Sequence, residues 1–121
     1  MKGRETMWKD AIEMREAVAS GEVSPKELVQ ETLEKIEQRN PALNAVVHLQ
    51  AERALKEAEV RSFEGLPFGG VPLLLKDLGQ NQVGEPSSAG SKLLKGIPVR
   101  RTDNFVKRLE AAGFIVVGRT N

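Results

Sequence analysis

The chain has 121 residues, of which 40% are hydrophobic and 29% are charged, with a formal net charge of +1. This length suits one domain with a modest core, and the near-neutral balance gives no overall field that favours nucleic acid or a membrane. The sequence has no cysteine, which excludes disulfides, thiolate catalysis and cysteine-based zinc sites. We expect neither a secretory signal nor a membrane span, and therefore a cytoplasmic protein.

Two helices are predicted at the start of the chain. A helical period of apolar residues indicates a first helix near residues 6–19, with Gly21 at its end. The run Ser24-Pro25-Lys26-Glu27 combines a serine cap, a proline at the first helical position and a capping-box glutamate. A second helix therefore begins there, and Asn40-Pro41 is expected to stop it.

A short strand and a third helix are predicted next. Residues 44–49 are a strand candidate, and residues 51–61 are rich in Ala, Glu and Lys, as is typical of an exposed amphipathic helix. Residues 63–70 are predicted to form a loop. We place a domain boundary here, with an N-terminal helical region over residues 1–62 and the start of a core over residues 63–121.

The second half of the chain alternates between strand and helix patterns. Residues 71–75 are an apolar strand candidate, and the turn-forming residues 79–90 are expected to lie on a surface or line a site. Thr102 is predicted to cap a helix over residues 103–112, and residues 114–117 form a buried strand candidate. The apolar face of that helix is predicted from Phe105, Val106 and Leu109.

This order predicts an α/β fold in which a helix crosses between two apolar strands. Such strands need cover on both faces and neighbouring strands, and the chain offers only three strand candidates. We therefore expect an incomplete sheet that belongs to a larger domain or is completed by another chain.

Lys76 is the most informative single residue, because it directly follows the apolar residues 71–75 and precedes Asp77. A lysine taken out of water loses the stabilisation of its charged form and can act as a base. On the residues alone, a structural lysine is the simpler interpretation. A Lys76–Asp77 ion pair does not follow, since neighbouring strand residues point to opposite faces.

Other candidate residues have ordinary structural explanations. His48, the only histidine, lies in an apolar strand candidate, and Ser87, Ser88 and Ser91 lie in no Gly-x-Ser-x-Gly elbow. No phosphate loop and no metal-ligand spacing is present, so no cofactor and no metal is predicted. From residue 92 to residue 110, six basic residues stand against two acidic ones. A solvated face is the expected role of this segment, with a phosphate or RNA contact as the alternative.

Several motifs occur in an order that resembles the N-terminal part of the amidase signature family. They are Gly70-Val71-Pro72-Leu73-Leu74-Leu75-Lys76-Asp77, then Gly90-Ser91, then Ala112-Gly113, and finally Gly118-Arg119-Thr120-Asn121. Within the family, the sequence of residues 73–79 resembles that of the branch of 6-aminohexanoate-cyclic-dimer hydrolases. The resemblance implies a mixed α/β sheet of which this chain supplies N-terminal helices and the first strands.

The resemblance also implies a chemistry, the cleavage of a small-molecule amide by a Ser–cis-Ser–Lys triad. Lys76 matches the triad lysine, and Gly70, Pro72, Asp77 and Gly90-Ser91 match the supporting motif. The family's Gly/Ser-rich block with both serines follows the position of Asn121, so we expect residues 1–121 alone to be inactive.

Two alternatives stay open beside the hydrolase. The chain is also compatible with the A subunit of a tRNA-dependent amidotransferase, which belongs to the same family and works with protein and RNA partners. The third possibility is a short non-catalytic scaffold, whose open strand edge would pair with a second copy. Self-association is expected in that case.

Overall fold

The structure, a computed structural model, describes residues 10–121, which form four helices and three strands. The elements are α1 (Ala11–Ala19), α2 (Pro25–Leu43), β1 (Val46–Leu49), α3 (Ala51–Val60), β2 (Pro72–Lys76), α4 (Asn104–Ala111) and β3 (Ile115–Thr120). All predicted elements are present. The predicted start of the first helix near residue 6 lies outside the described residues, within which α1 follows the capping residue Asp10.

The three strands form one mixed sheet in the order β1-β3-β2. β1 runs antiparallel to β3, and β2 runs parallel to it, so α4 is the crossover helix between two parallel neighbours. The predicted α/β class and the helical crossover are confirmed. The domain division at residue 62 stays a prediction.

Helices cover β3 on both faces, as its apolar run over residues 115–117 requires. On one face, Ile115 and Val117 pack with residues of α2 and α3, including Val29 and Ala54. On the other face, Val116 packs with Leu75 of β2 and Val106 of α4. The central strand is therefore the core of the described fold, and its side-chain alternation divides that core into two layers.

The capping box predicted at the start of α2 is present. Ser24 Oγ accepts a hydrogen bond from Glu27 N at 3.0 Å, and Glu27 Oε1 accepts one from Ser24 N at 3.0 Å. The predicted stop at Asn40-Pro41 is wrong, because the helix continues through Pro41 to Leu43 and ends at Asn44. A proline so close to the end removes one hydrogen bond of the last turn, and the left-handed Asn44 provides the actual end.

The start of α4 also differs from the prediction. Asp103, not Thr102, occupies the cap position, and its side chain makes no capping hydrogen bond. Thr102 Oγ1 instead accepts from Val83 N at 3.0 Å, and Asp103 Oδ2 accepts from Asn81 N at 2.9 Å. Both side chains attach the preceding loop to the helix. Phe105, predicted on the apolar face, is 56% exposed, so only Val106 and Leu109 serve the core.

β1 and β3 approach each other very closely at Gly118. A Cβ atom added to this glycine would meet the main-chain oxygen of His48 well inside van der Waals distance, and Leu49 Cδ2 at 3.2 Å. Gly118 is paired with Leu49 in the antiparallel ladder. The absence of a side chain at position 118 therefore allows this strand pairing.

Candidate active site

Lys76 is the last residue of β2, at the carboxyl end of the parallel strand pair. Its side chain is exposed, and Nζ donates a hydrogen bond to the main-chain oxygen of Asn121 at 3.1 Å. Among the described residues Lys76 is not withdrawn from water, because the buried part of the strand ends at Leu75. Lys76 thus lies where β2 and β3 both finish.

Asp77 does not pair with Lys76 but with Arg119 of β3. Arg119 Nε donates to Asp77 Oδ1 at 3.3 Å, and the two side chains are only 1% and 8% exposed. Asp77 Oδ1 also accepts a hydrogen bond from Ser88 N at 2.8 Å. The predicted motif residue Asp77 is therefore half of a buried ion pair, in which each charge depends on the other for compensation.

The main chain of Lys76 is held by polar side chains at both of its hydrogen-bonding atoms. Lys76 N donates to Gln80 Oε1 at 2.8 Å, and Lys76 O accepts from Arg119 Nη2 at 2.8 Å. The next amide, Asp77 N, donates to Thr120 O at 2.8 Å. These three bonds define the direction in which β2 ends.

The segment over residues 79–91 folds back onto the end of β2. Besides the bond from Ser88, Ala89 N donates to Asp77 O at 2.9 Å. Gly90 follows with a φ of 73°, a left-handed conformation that suits glycine, and Ser91 Oγ accepts from Leu93 N at 3.2 Å. The interpretation that this segment lines a site agrees with its contacts to Asp77. Gly90 and Ser91 shape the loop and do not contribute to the bonds that hold Lys76.

Gly70 and Pro72 lie at the opposite end of β2 from Lys76. Gly70 is buried with a φ of 81°, and its N donates to Gly113 O at 3.0 Å. Pro72 begins the strand, a position at which the missing N–H is tolerated. The predicted motif therefore spans the whole strand, and only its last two residues, Lys76 and Asp77, belong to the polar site.

The other candidates are placed as ordinary structural residues. His48 Nε2 lies 2.9 Å from Glu85 Oε1, and Glu85 Oε2 lies 3.1 Å from Arg53 Nη1. The six basic side chains between residues 92 and 108 are all exposed. In the part of the chain that the structure describes, no group of three His, Asp or Glu residues could hold a metal ion. Among residues 10–121, no helix is both long and apolar enough to cross a bilayer.

Sequence reasoning missed Arg119 and Gln80 as members of the site. Arg119 is fully buried, in a strand whose other residues from Ile115 to Gly118 are also buried. An arginine inside such a run is a detectable signal, since a buried arginine needs an anionic partner. Gln80 gave no comparable signal, because its contact depends on the turn after Lys76.

Comparisons with known proteins agree with this arrangement of motifs. The family model described as Amidase matches residues 27–121. The chain therefore belongs to the amidase family, as the resemblance predicted. It is 44% identical over 111 residues to a lipoamidase of Enterococcus faecalis, a match that covers 92% of this chain and 15% of that protein.

Two further matches come from different branches of the family. One is the A subunit of the glutamyl-tRNA(Gln) amidotransferase of Methylacidiphilum infernorum, 38% identical over 109 residues, covering 90% of this chain and 22% of that protein. The other is the solved structure of a 6-aminohexanoate cyclic dimer hydrolase complexed with substrate. It has a TM-score of 0.86 and 40% identity, and covers 94% of this chain and 23% of that one. The chain spans less than a quarter of each of these three proteins.

Proposed function

We propose that residues 1–121 form the N-terminal part of an amide hydrolase in which Lys76 is the base of a Ser–cis-Ser–Lys triad. The observation that carries this proposal is the position of Lys76 at the carboxyl end of β2, where it is paired with Thr120 near the end of β3. The chain leaves β3 at this point, so residues that follow Asn121 in a longer protein start beside the ammonium. Withdrawal of Lys76 from water would come from those residues.

The chemistry assigns Lys76 the role of proton acceptor. A neutral lysine has two N–H donors and one lone pair, so it can donate a hydrogen bond and still accept a proton. That proton comes from the nucleophilic serine through the bridging serine. The serine oxygen then bonds to the amide carbon, the C–N bond breaks, and the amine leaves with a proton. Water hydrolyses the resulting ester and restores the serine.

The substrate class is a small-molecule amide, in the cytoplasm. Relatives named as a lipoamidase and as a 6-aminohexanoate cyclic dimer hydrolase support an amide substrate. Residues 1–121 alone are expected to be inactive, since the family's serine block is not among them.

The test is Lys76→Ala in the full-length gene product that contains residues 1–121. We expect kcat/KM for the 6-aminohexanoate cyclic dimer, or for the best small amide found, to fall by about 1,000-fold or more, because the triad loses its base. Circular dichroism should be unchanged, since the side chain is exposed. Lys56→Ala, an exposed lysine of α3, is the matched control and should retain full activity. Near-normal turnover of the Lys76→Ala protein, or a reading frame that ends at Asn121, would overturn the proposal.

A second candidate, the A subunit of a tRNA-dependent amidotransferase, is favoured by the match to the glutamyl-tRNA(Gln) amidotransferase of Methylacidiphilum infernorum. The exposed basic residues between Lys92 and Arg108 would then face RNA or a partner protein. Conversion of glutamate to glutamine on tRNA, only in the presence of partner proteins, would distinguish this function from free hydrolysis. Activity on small amides by the single chain would favour the hydrolase.

A further inference from the structure

Arg119, the only charged residue of β3, is buried. It is 0% exposed, and its strand position is paired with Leu75, one residue before Lys76 in the parallel ladder. The guanidinium reaches forward across the end of β2, where it contacts both the peptide of Lys76 and the carboxylate of Asp77. A weaker contact, at 3.4 Å, joins Nη2 to Ser87 Oγ.

The carbonyl of Lys76 lies outside the hydrogen-bond ladder between β2 and β3. The bond between the strands at this position runs from Asp77 N to Thr120 O at 2.8 Å, so the N–H and C=O of Lys76 are directed away from β3. Arg119 Nη2 nevertheless reaches Lys76 O, to which it donates at 2.8 Å. Loss of this donor would remove one of the bonds that hold the end of β2 in place.

We propose that Arg119 is a positioning residue that sets the direction of the Lys76 side chain through the Lys76 carbonyl. This inference rests on the proposed function of Lys76 as the triad base. A shift of the main chain at the end of β2 would displace Cα and Cβ of Lys76, and the flexible four-carbon stem of lysine carries that displacement to Nζ. A displacement of about 1 Å at a reacting atom lowers a rate by about 100-fold.

Asp77 has a different role from Arg119 in this arrangement. Its carboxylate compensates the buried guanidinium and receives the Ser88 amide, so it holds Arg119 and the returning loop in place. The two roles can be separated experimentally. Arg119→Met removes both the donor to Lys76 O and the counter-ion of Asp77, whereas Arg119→Met with Asp77→Asn removes the donor without leaving an unpaired buried charge.

The experiment compares these variants in the full-length gene product, with kcat and KM measured for the best amide substrate and scaled to the folded fraction. We expect Arg119→Met to lower kcat by about 100-fold and to leave KM within about twofold, because Arg119 acts on the base and not on the bound substrate. The double variant should fold as well as wild type and keep the loss of kcat. Arg119→Lys, which retains a donor, should recover part of kcat.

Arg61→Met is the matched control. Arg61 also donates to two main-chain carbonyls, Glu110 O at 2.8 Å and Phe114 O at 3.1 Å, but it does so at the opposite end of β3. Its kcat should equal that of wild type. If the double variant regains wild-type kcat, Arg119 serves only as the counter-ion of Asp77 and the inference fails.

A comparison with Lys76→Ala separates this inference from the proposed function. If Arg119 acts through Lys76, adding Arg119→Met to Lys76→Ala lowers the residual kcat by less than about twofold. A full second loss would show that Arg119 acts independently and would overturn the inference, while the role of Lys76 would stand. Normal turnover of Lys76→Ala alone would instead overturn the proposed function.

Discussion

An arginine side chain lies at each end of β3, and the two arginines bind different groups. At the start of the strand, Arg61 donates to Glu110 O and Phe114 O and lies over the ring of Phe63 at 5.0 Å. Nearby, the rings of Phe68 and Phe114 stack at 4.8 Å. At the far end, Arg119 donates to Lys76 O and pairs with Asp77. One arginine joins a helix to a strand, and the other lies behind Lys76, the proposed triad base.

Burial separates the two arrangements. The side chains of Arg61 and its carboxylate partner Glu57 are 26% and 22% exposed, so water compensates either one when the other is lost. The Arg119–Asp77 pair is almost fully buried, so neither partner can be removed alone without leaving an uncompensated charge. Similar contacts are therefore expected to give modest stability at one end of the strand and, under the proposal above, to position Lys76 at the other.

The largest effect on stability is expected from Gly118→Ala, which disrupts the pairing of β1 with the end of β3 that lies near Lys76. The new Cβ would collide with the main-chain oxygen of His48, so β1 and β3 must separate, and the full-length gene product should lose about 3 kcal/mol of unfolding free energy. Amide hydrogen exchange should accelerate along β1. Denaturant unfolding measures the total loss.

Gly21→Ala is the control for that variant. Gly21 has a φ of 80° but no atom within 4 Å of an added Cβ, so its substitution introduces backbone strain without a collision. The loss should be about 1 kcal/mol. Equal losses at the two glycines would contradict the collision at Gly118.

A smaller effect is expected from Arg61→Met, which acts at the other end of the strand. Loss of the bonds to Glu110 O and Phe114 O should lower the unfolding free energy by about 1–2 kcal/mol, a value reduced by the partial exposure of Arg61. Denaturant unfolding and steady-state kinetics on one preparation provide the measurement. Unchanged stability, or a loss of kcat comparable to that of Arg119→Met, would remove the distinction between the two ends.

The smallest effect is expected from Ser24→Ala, which lies away from both ends of β3. The capping box with Glu27 loses one of its two hydrogen bonds, and stability should fall by about 1 kcal/mol with no change in kcat. Ser62→Ala, an exposed serine in the loop before β2, is the control and should be neutral. Faster amide exchange confined to the first turn of α2 would locate the effect, and exchange unchanged from wild type would refute it.

Local patterns predicted most of the fold because each depended on neighbouring residues. The capping box at Ser24 and the apolar run of β3 both carry their structural reason within a few positions. The predicted end of α2 was wrong because the Asn40 side chain does not end the helix. Its Oδ1 instead accepts hydrogen bonds from Ala45 N and Val46 N, at the start of β1. Thr102 was wrongly predicted as a helix cap for a similar reason. Its hydroxyl accepts a hydrogen bond from the amide of Val83, in a loop distant in sequence.

The candidate site was predictable in part. The motif placed Lys76 and Asp77 at the end of a strand, and the structure agrees. The exposure of Lys76 and the pairing of Asp77 with Arg119 were not predicted, since both depend on the register of β2 against β3. Asp77 and Arg119 are 42 positions apart in the sequence, and no local sequence pattern predicts which residues of two such distant strands lie side by side.

The close approach at Gly118 has a consequence for evolutionary covariation. The group that a side chain at position 118 would strike is the main-chain oxygen of His48, which is present whatever residue occupies position 48. No substitution at position 48 can therefore make room for a larger residue at position 118. Across homologues, we expect a glycine that varies little at this position and no correlated changes at position 48, although the two residues touch. Contact inference from covarying pairs would overlook this junction between β1 and β3.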